Sequence, residues 1–308
     1  MTRPVVVITE VGDLDPRPGI DLLESNGFDV VVLETGLSAA LPARAADAIA
    51  AIVGFAHFGP AELDLFPALQ LVCTTSTGID MVDVAAAAAR NVTVVGLGGV
   101  ATQEVALHAL TLMLAALREV AAGRRVVRDG GWTVDLDVTP RPIGDLVLGL
   151  VGFGRIARET ARISRPLFAR VLAADPFVTE TEHGVDLVEL STLIAESDVV
   201  SLHLPADDES RGMFSQSLIA TMRDGALLVN VSRGELVDSA AVLAALESGK
   251  LSGYAADVLD TEPPAADDPL RDHPKAIITP HMAFLSTASL DRYELNPART
   301  IVERLSQA

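Results

Sequence analysis

The sequence predicts an α/β protein built from two doubly wound parallel-sheet domains with a cleft between them. Short runs of β-branched residues alternate with alanine-rich helical stretches, a pattern typical of a parallel sheet covered by helices. The chain of 308 residues is long enough for two ordinary domains. The predicted strands are too many for one such sheet and fit two sheets of five or six. They cover residues 5–9, 29–33, 51–54, 71–73, 93–95, 146–151, 170–174, 199–202, 226–230, 254–258 and 276–278.

Two long helices set the expected domain boundary. An apolar helix predicted at residues 102–120 separates the two sets of strands, and a glycine-rich loop precedes it. A second helix, predicted at residues 286–305, follows the last strand and is expected to return to the first domain. The sequence therefore predicts one domain from residues 1–100 and 285–308, and another from residues 101–284. Shorter helices are predicted at residues 42–50, 82–90 and 239–249.

Composition narrows the classes of function. Hydrophobic residues make up 49% of the chain, which excludes an intrinsically disordered protein. The 23 basic and 42 acidic side chains give a net charge of −19, which argues against nucleic-acid and membrane partners. Cys73 is the only cysteine, so an intramolecular disulfide and a thiolate metal cluster are excluded and no metal is expected. Because no run is long enough for a membrane span or a signal peptide, a cytoplasmic protein is expected.

A glycine-rich turn follows the strand predicted at residues 146–151. It has the pattern G-x-G-x-x-A, in which the first glycine permits a tight turn, the second admits a pyrophosphate and the alanine permits close packing. Asp175 ends the next strand, where a carboxylate would bind ribose hydroxyls and repel a 2′-phosphate. The context predicts a Rossmann-like site for NAD rather than NADP; a glycine turn without a ligand is the alternative. The expected contacts are Gly152, Gly154, Arg155, Ile156 and Asp175.

Three polar segments follow later strands of the second set. They contain Arg233, Glu262 and His281, each just past the carboxyl end of a strand, where open α/β sheets bind ligands. Each residue taken alone has an ordinary explanation as a loop charge, a turn acid or a loop histidine. Their occurrence on successive strand ends beside a nucleotide site predicts an active site.

Several short segments match the motifs of one enzyme family, in the order in which that family has them. They are Gly78-Ile79-Asp80, Glu104-Val105-Ala106 with His108, Trp132 after two glycines, Ser201-Leu202-His203-Leu204-Pro205, Val231-Ser232-Arg233-Gly234 and Thr279-Pro280-His281. With these motifs the sequence resembles the D-isomer-specific 2-hydroxyacid dehydrogenases. The resemblance extends over about residues 5–305 and is densest between residues 146 and 281.

The resemblance implies an NAD-dependent oxidoreductase that acts on the CH–OH group of a small 2-hydroxy acid or reduces the 2-keto acid. Arg233 would hold the carboxylate and polarise the carbonyl through its bidentate guanidinium group. His281 would be the general acid, or the base in the reverse direction. Glu262 would orient the imidazole and favour its charged form.

The resemblance also implies further contacts with cofactor and substrate. Asp257 would orient the nicotinamide carboxamide, and the first domain would bind the substrate carboxylate through backbone N–H groups of the loop 75–78. An ordinary strand-to-helix turn is the alternative for that loop. Closure of a hinge between the domains is expected to exclude water. The remaining implied residues are His203, Leu204, Pro205, Val231 and Ser232 for the cofactor, and Ser76, Thr77 and Gly78 for the substrate.

The sequence departs from the family pattern at several positions. Leu107 replaces an acidic residue before His108, so His108 is interpreted as structural without its usual partner. Residues 282–285 replace a small residue and a glycine. Phe284 and Leu285 would narrow the site or add an apolar wall; a position in the core is the alternative. The stretch 53–58 contains no arginine, which counts against a phosphorylated substrate such as phosphoglycerate. Its His57 and Phe58 are candidate substrate contacts, and an ordinary surface turn is the alternative.

Glyoxylate, hydroxypyruvate or a more apolar keto acid is therefore favoured over phosphoglycerate. Glu262 stands where formate dehydrogenases of the family have glutamine, which argues against formate. No regulatory domain is expected after Ala308.

The same residues are compatible with two other functions, and the sequence also predicts an oligomeric state. An NAD(H)-sensing corepressor-like protein would keep the same residues and turn over poorly, and a dehydrogenase of an unusual anion such as phosphite would use the same triad. Members of the family are usually dimers joined through the cofactor domains. The helix at residues 102–120 is apolar nearly all round, which predicts a homodimer interface; an intrachain core position is the alternative.

Overall fold

The chain divides into two compact units, each built on one parallel sheet. The computed structural model describes residues 3–10, 14–33, 37, 41–54 and 56–306. One unit comprises Met1–Val100 with Leu285–Ala308, and the other comprises Ala101–Phe284. The predicted fold class, two α/β domains with doubly wound parallel sheets, is confirmed.

The described part of the first unit has a five-stranded sheet of order β2-β1-β3-β4-β5, the flavodoxin-like order. Alternate residues of β1 enter separate cores, with Val5 and Val7 on one face of the sheet and Val6 and Ile8 on the other. The second core also contains Ala298 and Ile301 of the last helix, which packs on the first helix. The strands are β1 (Val5–Ile8), β2 (Asp29–Val32), β3 (Ala48–Val53), β4 (Leu71–Thr74) and β5 (Thr93–Val95), and the helices are α1 (Arg17–Ser25), α2 (Pro60–Leu63), α3 (Val84–Ala89) and α10 (Thr287–Leu305).

The prediction of a helix at residues 42–50 is wrong. A short 3-10 helix covers Ala43–Asp47, and β3 begins at Ala48. The alanines at positions 48, 50 and 51 are fully buried, because β3 is covered on both faces. In this position their small size is compatible with a central strand, and burial overrides the helix propensity of alanine.

The described part of the second unit has a seven-stranded parallel sheet of order β12-β11-β10-β9-β6-β7-β8. The strand order reverses between β6 and β9, the position at which open α/β sheets form a ligand crevice. The two-residue edge strand β8 is the one that the sequence analysis missed. The strands are β6 (Val147–Val151), β7 (Arg170–Ala174), β8 (Asp186–Leu187), β9 (Val199–Leu202), β10 (Ala226–Asn230), β11 (Leu251–Ala256) and β12 (Ala276–Ile278), and the helices are α4 (Thr102–Leu117), α5 (Val120–Arg128), α6 (Arg155–Ser164), α7 (Leu190–Glu196), α8 (Gln216–Thr221) and α9 (Ser239–Ser248).

The single long helix predicted at residues 102–120 is two helices. The helix α4 ends at Leu117, Glu119 adopts a left-handed φ of 54°, and α5 leaves at an angle of 56°. Several α4 residues, including Leu112 and Met113, are buried in the core of the second unit, whereas Leu107 is 59% exposed. By length and composition no single described helix could span a membrane, and α4 with α5 satisfies that test only as a bent pair.

The close approach of two turns makes Gly234 a testable position. A Cβ atom there would lie 1.9 Å from the carbonyl carbon of Leu259, so Gly234→Ala forces the backbone apart. We expect this variant to lose about 2–3 kcal/mol of unfolding free energy. Gly144→Ala is the matched control, because a Cβ at Gly144 meets no atom within 4 Å. Urea denaturation measures both variants, and equal midpoints would contradict the close approach.

Candidate active site

The carboxyl edge of the second sheet carries the turns that contain most of the predicted site residues. Parallel strands end at the same edge of a sheet, so the turns after β6, β7, β9, β10, β11 and β12 lie along one side. Arg233 follows β10, Glu262 belongs to the loop after β11, and His281 follows β12. The turns after β6 and β9 flank the position where the strand order reverses.

The glycine turn after β6 has the backbone that its sequence predicts. Gly152 has φ 83°, and a Cβ atom there would lie 2.7 Å from the carbonyl oxygen of His203. Gly154 is the N-cap of α6, and a Cβ there would meet no atom within 4 Å. Ala157 is fully buried, as close packing of helix and strand requires. The turn therefore leaves the amino end of α6 open to a ligand, which fits the pyrophosphate of a dinucleotide.

Asp175 lies directly beside this turn. Its Oδ2 accepts a hydrogen bond from the backbone N–H of Phe153 at 2.8 Å, and its Oδ1 accepts one from Phe177 at 2.9 Å. Each carboxylate oxygen can accept a second hydrogen bond, which fits the ribose hydroxyls of NAD. Arg155 is exposed and Ile156 is half-buried in the first turn of α6. This donor and acceptor set fits the predicted cofactor.

His203 lies at the end of β9, beside Gly152. Its Nε2 pairs with the hydroxyl of Ser201 at 3.0 Å, and within the described part of the chain its buried Nδ1 has no hydrogen-bond partner. Burial lowers the pKa of His203 to about 3, so its imidazole is neutral near pH 7. A neutral ring suits the predicted pocket wall better than an acid. Leu204 is half-buried and Pro205 is exposed.

Asn230 organises the turn that carries Arg233. The buried Asn230 side chain donates from Nδ2 to the carbonyl oxygen of Arg233 at 2.8 Å and accepts from the N–H of Ser232 at 3.0 Å. The hydroxyl of Ser232 donates to the carbonyl oxygen of Leu202 on β9, and Val231 is buried. Sequence analysis assigned no role to Asn230. An asparagine at a strand end before a turn is the signal, since its amide mimics a backbone turn.

The Arg233 turn packs against the loop that carries Glu262. Gly234 contacts the backbone of Leu259, and the N–H of Leu259 donates to Oε1 of Glu262 at 2.8 Å. Glu262 Oε2 lies 2.7 Å from Nδ1 of His281, with side-chain exposures of 34% and 42%. Arg233, Glu262 and His281 are thus linked by successive contacts within one unit.

The Glu262 carboxylate is held in its ionised form. Partial burial raises the pKa of Glu262, but the hydrogen bond and charge of His281 and the Leu259 amide together hold it below its ordinary value. A charged Glu262 fixes Nδ1 of His281 as a hydrogen-bond donor and leaves Nε2 to face a substrate. Among the described residues no group of three or more His, Cys, Asp or Glu side chains could hold a metal ion.

Asp257 is the most buried acid of this edge, with 1% of its side chain exposed. Its Oδ1 accepts from the hydroxyl of Thr279 at 2.5 Å and from the N–H of Met282 at 2.9 Å, and its Oδ2 accepts from the N–H of Ala283 at 2.7 Å. Burial raises the pKa of Asp257, but hydrogen bonds from His108, Thr279 and the two amides bring it below its ordinary value.

His108 has partners in this site other than the acidic residue that Leu107 replaces. Its Nε2 lies 3.0 Å from Oγ1 of Thr279 and 3.4 Å from Oδ1 of Asp257. The acidic residue replaced by Leu107 is not needed for this arrangement, because the side chain of Leu107 is exposed on α4 while His108 turns inward.

The loop predicted to bind a substrate carboxylate lies in the first unit, after β4. The Thr74 hydroxyl donates a hydrogen bond to the carbonyl oxygen of Ser76 at 2.8 Å. The Ser76 hydroxyl donates one to the carbonyl oxygen of Gly78 at 2.6 Å. No described residue accepts a hydrogen bond from the backbone N–H of Ser76, Thr77 or Gly78. These hydroxyls fix the turn while its amides stay available, which fits an anion nest.

Of the two candidate contacts after β3, Phe58 is a core residue. It is fully buried and stacks on Phe66 with ring centroids 6.1 Å apart. His57 is exposed, and Phe55 in the same stretch lies outside the described residues.

The buried Asp257 carboxylate predicts an acid-sensitive contribution to stability. Because its pKa is lower in the folded than in the unfolded protein, this contribution is complete above about pH 4 and is lost as the pH falls further. We expect the free energy of unfolding of Asp257→Asn to be about 2–3 kcal/mol lower than that of the wild type at pH 7. Below about pH 4 it should depend less on pH than that of the wild type. Asp224→Asn, on an exposed surface acid, is the control. Urea denaturation at a series of pH values checks this, and parallel curves for Asp257→Asn and the wild type would contradict it.

Comparison with known proteins agrees with this geometry. Residues 110–283 match the D-isomer specific 2-hydroxyacid dehydrogenase, NAD binding domain. The chain is 34% identical over 290 residues to a D-3-phosphoglycerate dehydrogenase of Archaeoglobus fulgidus, covering 92% of this chain but only 54% of that protein. It is 35% identical over 242 residues to a glyoxylate reductase of Korarchaeum cryptofilum, covering 76% of this chain and 73% of that protein.

A solved structure extends the similarity to the whole chain. The D-lactate dehydrogenase of Aquifex aeolicus, complexed with NAD and lactic acid, superposes with a TM-score of 0.86 at 26% identity and covers 96% of this chain and 94% of that one. The matched NAD-binding domain and the fit of the glycine turn identify NAD as the cofactor. The chain therefore belongs to the D-isomer-specific 2-hydroxyacid dehydrogenases, a family of NAD-dependent enzymes that act on CH–OH groups.

Proposed function

We propose that this chain catalyses hydride transfer between NAD(H) and C2 of a small 2-hydroxy or 2-keto acid, with D specificity at C2. The observation that carries the proposal is the 2.7 Å pair of His281 and Glu262, which lies next to the Arg233 turn on the edge that carries the glycine turn. A proton donor, a cation and a dinucleotide turn on one sheet edge are what reduction of a keto acid needs.

His281 moves the proton in this proposal. When bound, NADH supplies the hydride, and His281 Nε2 donates a proton to the substrate oxygen at the same carbon. The negative charge of Glu262, held at Nδ1, stabilises the imidazolium and fixes the plane of the ring. In the oxidation direction the neutral imidazole accepts the hydroxyl proton.

Arg233 is the proposed substrate-binding cation of the second unit. Its guanidinium holds the carboxylate and polarises the carbonyl, and it supplies positive charge in a chain with a net charge of −19. In the first unit, the backbone amides of Ser76, Thr77 and Gly78, for which no described acceptor exists, are suited to bind a carboxylate.

Among substrates we favour glyoxylate, hydroxypyruvate or a more apolar keto acid over phosphoglycerate. The similarity to a glyoxylate reductase supports this, as does the lack of arginine between residues 53 and 58. A dianionic phosphate without a cationic partner would be costly to bind. The relative named for phosphoglycerate makes that substrate the necessary comparison.

The activity prediction uses NADH oxidation with a panel of keto acids from glyoxylate and hydroxypyruvate to phenylpyruvate, with 3-phosphohydroxypyruvate included. We expect turnover of at least one unphosphorylated acid, and His281→Ala should lower kcat by about 1,000-fold because general acid catalysis is lost. His273→Ala replaces a histidine of a surface loop and is the control.

Other outcomes separate the remaining functions. Tight NADH binding without turnover of any keto acid would overturn the dehydrogenase in favour of a corepressor-like sensor. NAD reduction by phosphite would favour the unusual-anion enzyme. A preference for the phosphorylated acid would contradict the substrate choice alone.

We also propose a homodimer joined through the NAD-binding units. The helix at residues 102–120 was the expected interface, but its Leu112 and Met113 lie in the core of the second unit, which is the alternative. The proposed interface is therefore the segment after α4 that contains Trp132 and Val134. Apolar side chains on this segment are exposed, including Trp132 at 69% and Val134 at 91%. Exposed apolar groups of this kind are stabilised by burial against a second copy in a two-fold contact. A cytoplasmic location and the absence of nucleic-acid and membrane partners stay predictions from composition.

The dimer predicts a sedimentation mass of two chains at micromolar concentration. Trp132 is the only tryptophan, so its fluorescence emission should shift to the red when dilution separates the subunits. Val134→Asp should move the equilibrium toward the monomer, whereas Val84→Asp at an exposed site of the first unit should not. A one-chain mass for the wild type would contradict the proposal.

A further inference from the structure

The side chain of His108 connects helix α4 to the candidate active site. It packs against β10 and β11, and His108 turns inward with 16% of its side chain exposed. Nε2 of His108 lies 3.0 Å from Oγ1 of Thr279, the residue that follows β12 two positions before His281. The contact joins parts of the chain that are 171 residues apart.

The direction of these hydrogen bonds follows from the number of protons. The Thr279 hydroxyl has one proton. It donates this proton in a 2.5 Å hydrogen bond to Oδ1 of Asp257, because an ionised carboxylate can only accept. Oγ1 of Thr279 must therefore accept from His108, which requires the proton of His108 to be on Nε2. Nε2 of His108 also lies 3.4 Å from Oδ1 of Asp257, so His108 and Thr279 both lie beside one carboxylate oxygen.

Asp257 in turn fixes the turn that presents His281. Its carboxylate accepts hydrogen bonds from the backbone N–H groups of Met282 and Ala283. Its carbonyl oxygen accepts a hydrogen bond from the N–H of His281 at 2.8 Å. His281 has φ 51°, a left-handed conformation that is unfavourable for a non-glycine residue. Such a conformation persists only where its surroundings hold it in place.

We propose that His108 and Thr279 are positioning residues, which hold the Asp257 carboxylate and through it the left-handed backbone of His281. This inference rests on the proposed function, in which His281 moves the proton. It leaves room for Asp257 to contact a cofactor, because Oδ2 accepts only the Ala283 amide within the described chain.

The test compares four variants with the wild type by steady-state kinetics. His108→Leu removes the donor, and we expect kcat to fall about 10- to 100-fold while the Kd for NADH stays within about twofold, since small displacements of a reacting group cost this much. His108→Gln keeps an N–H donor and should recover most of the rate. Thr279→Val should lose as much as His108→Leu. Thr111→Ala, an exposed position one turn along α4, should match the wild type.

Two further readouts separate positioning from a general loss of structure. The primary isotope effect with 4-deuterated NADH should rise in His108→Leu, because hydride transfer becomes rate-limiting. The imidazole NMR signals of His281, assigned with His281→Ala, should shift in His108→Leu and Thr279→Val but not in Thr111→Ala. The double variant His108→Leu/Thr279→Val should lose no more rate than either single variant, because both belong to one chain of contacts.

An unchanged kcat in His108→Leu would overturn the inference, as would a loss that His108→Gln does not recover. Unshifted His281 signals in both His108→Leu and Thr279→Val would overturn it as well. The NMR comparison needs no turnover, so it tests the positioning chain even if the wild type reduces none of the keto acids. Failure of the proposed function is thereby distinguished from failure of this inference.

Discussion

The buried negative charge of Asp257 is the interaction on which the candidate site depends. A carboxylate withdrawn from water is tolerated only when hydrogen bonds replace its hydration, and here a hydroxyl, an imidazole and two backbone amides supply them. The amides belong to the turn that follows β12, so satisfying this charge also determines the path of the chain after His281. The need to satisfy the buried Asp257 carboxylate therefore also places the turn that carries His281.

The two acids of the site are held in different ways. Asp257 is fully enclosed and its hydrogen bonds come from its own surroundings, whereas Glu262 is partly exposed and its main partner is His281. The enclosed acid maintains geometry, and the exposed acid lies where a proton can be exchanged. The structural carboxylate is thus separate from the carboxylate that pairs with His281.

Local requirements made part of this site predictable from sequence. The glycine turn was predictable because its pattern after a strand reflects local requirements. Gly152 has a left-handed φ and no room for a Cβ beside His203, and Gly154 leaves space for a ligand at the amino end of α6. The strand at Ala48 was not, because burial on both faces comes from other parts of the chain. The role of His108 depends on a partner 171 residues away, and neither spacing nor periodicity encodes such a contact. The family resemblance was sufficient to predict the residues of the proposed chemistry. The residues that support them could be recognised only from the folded structure.

The division of the first unit has a consequence for the order of folding. Its core contains residues of β1 together with Ala298 and Ile301 of α10, which is made after the whole of the second unit. During synthesis that core stays incomplete, with apolar side chains of the first sheet exposed, until α10 is added. The second unit is one continuous segment and can fold earlier. Synthesis therefore favours completion of the NAD-binding unit before the unit whose sequence surrounds it.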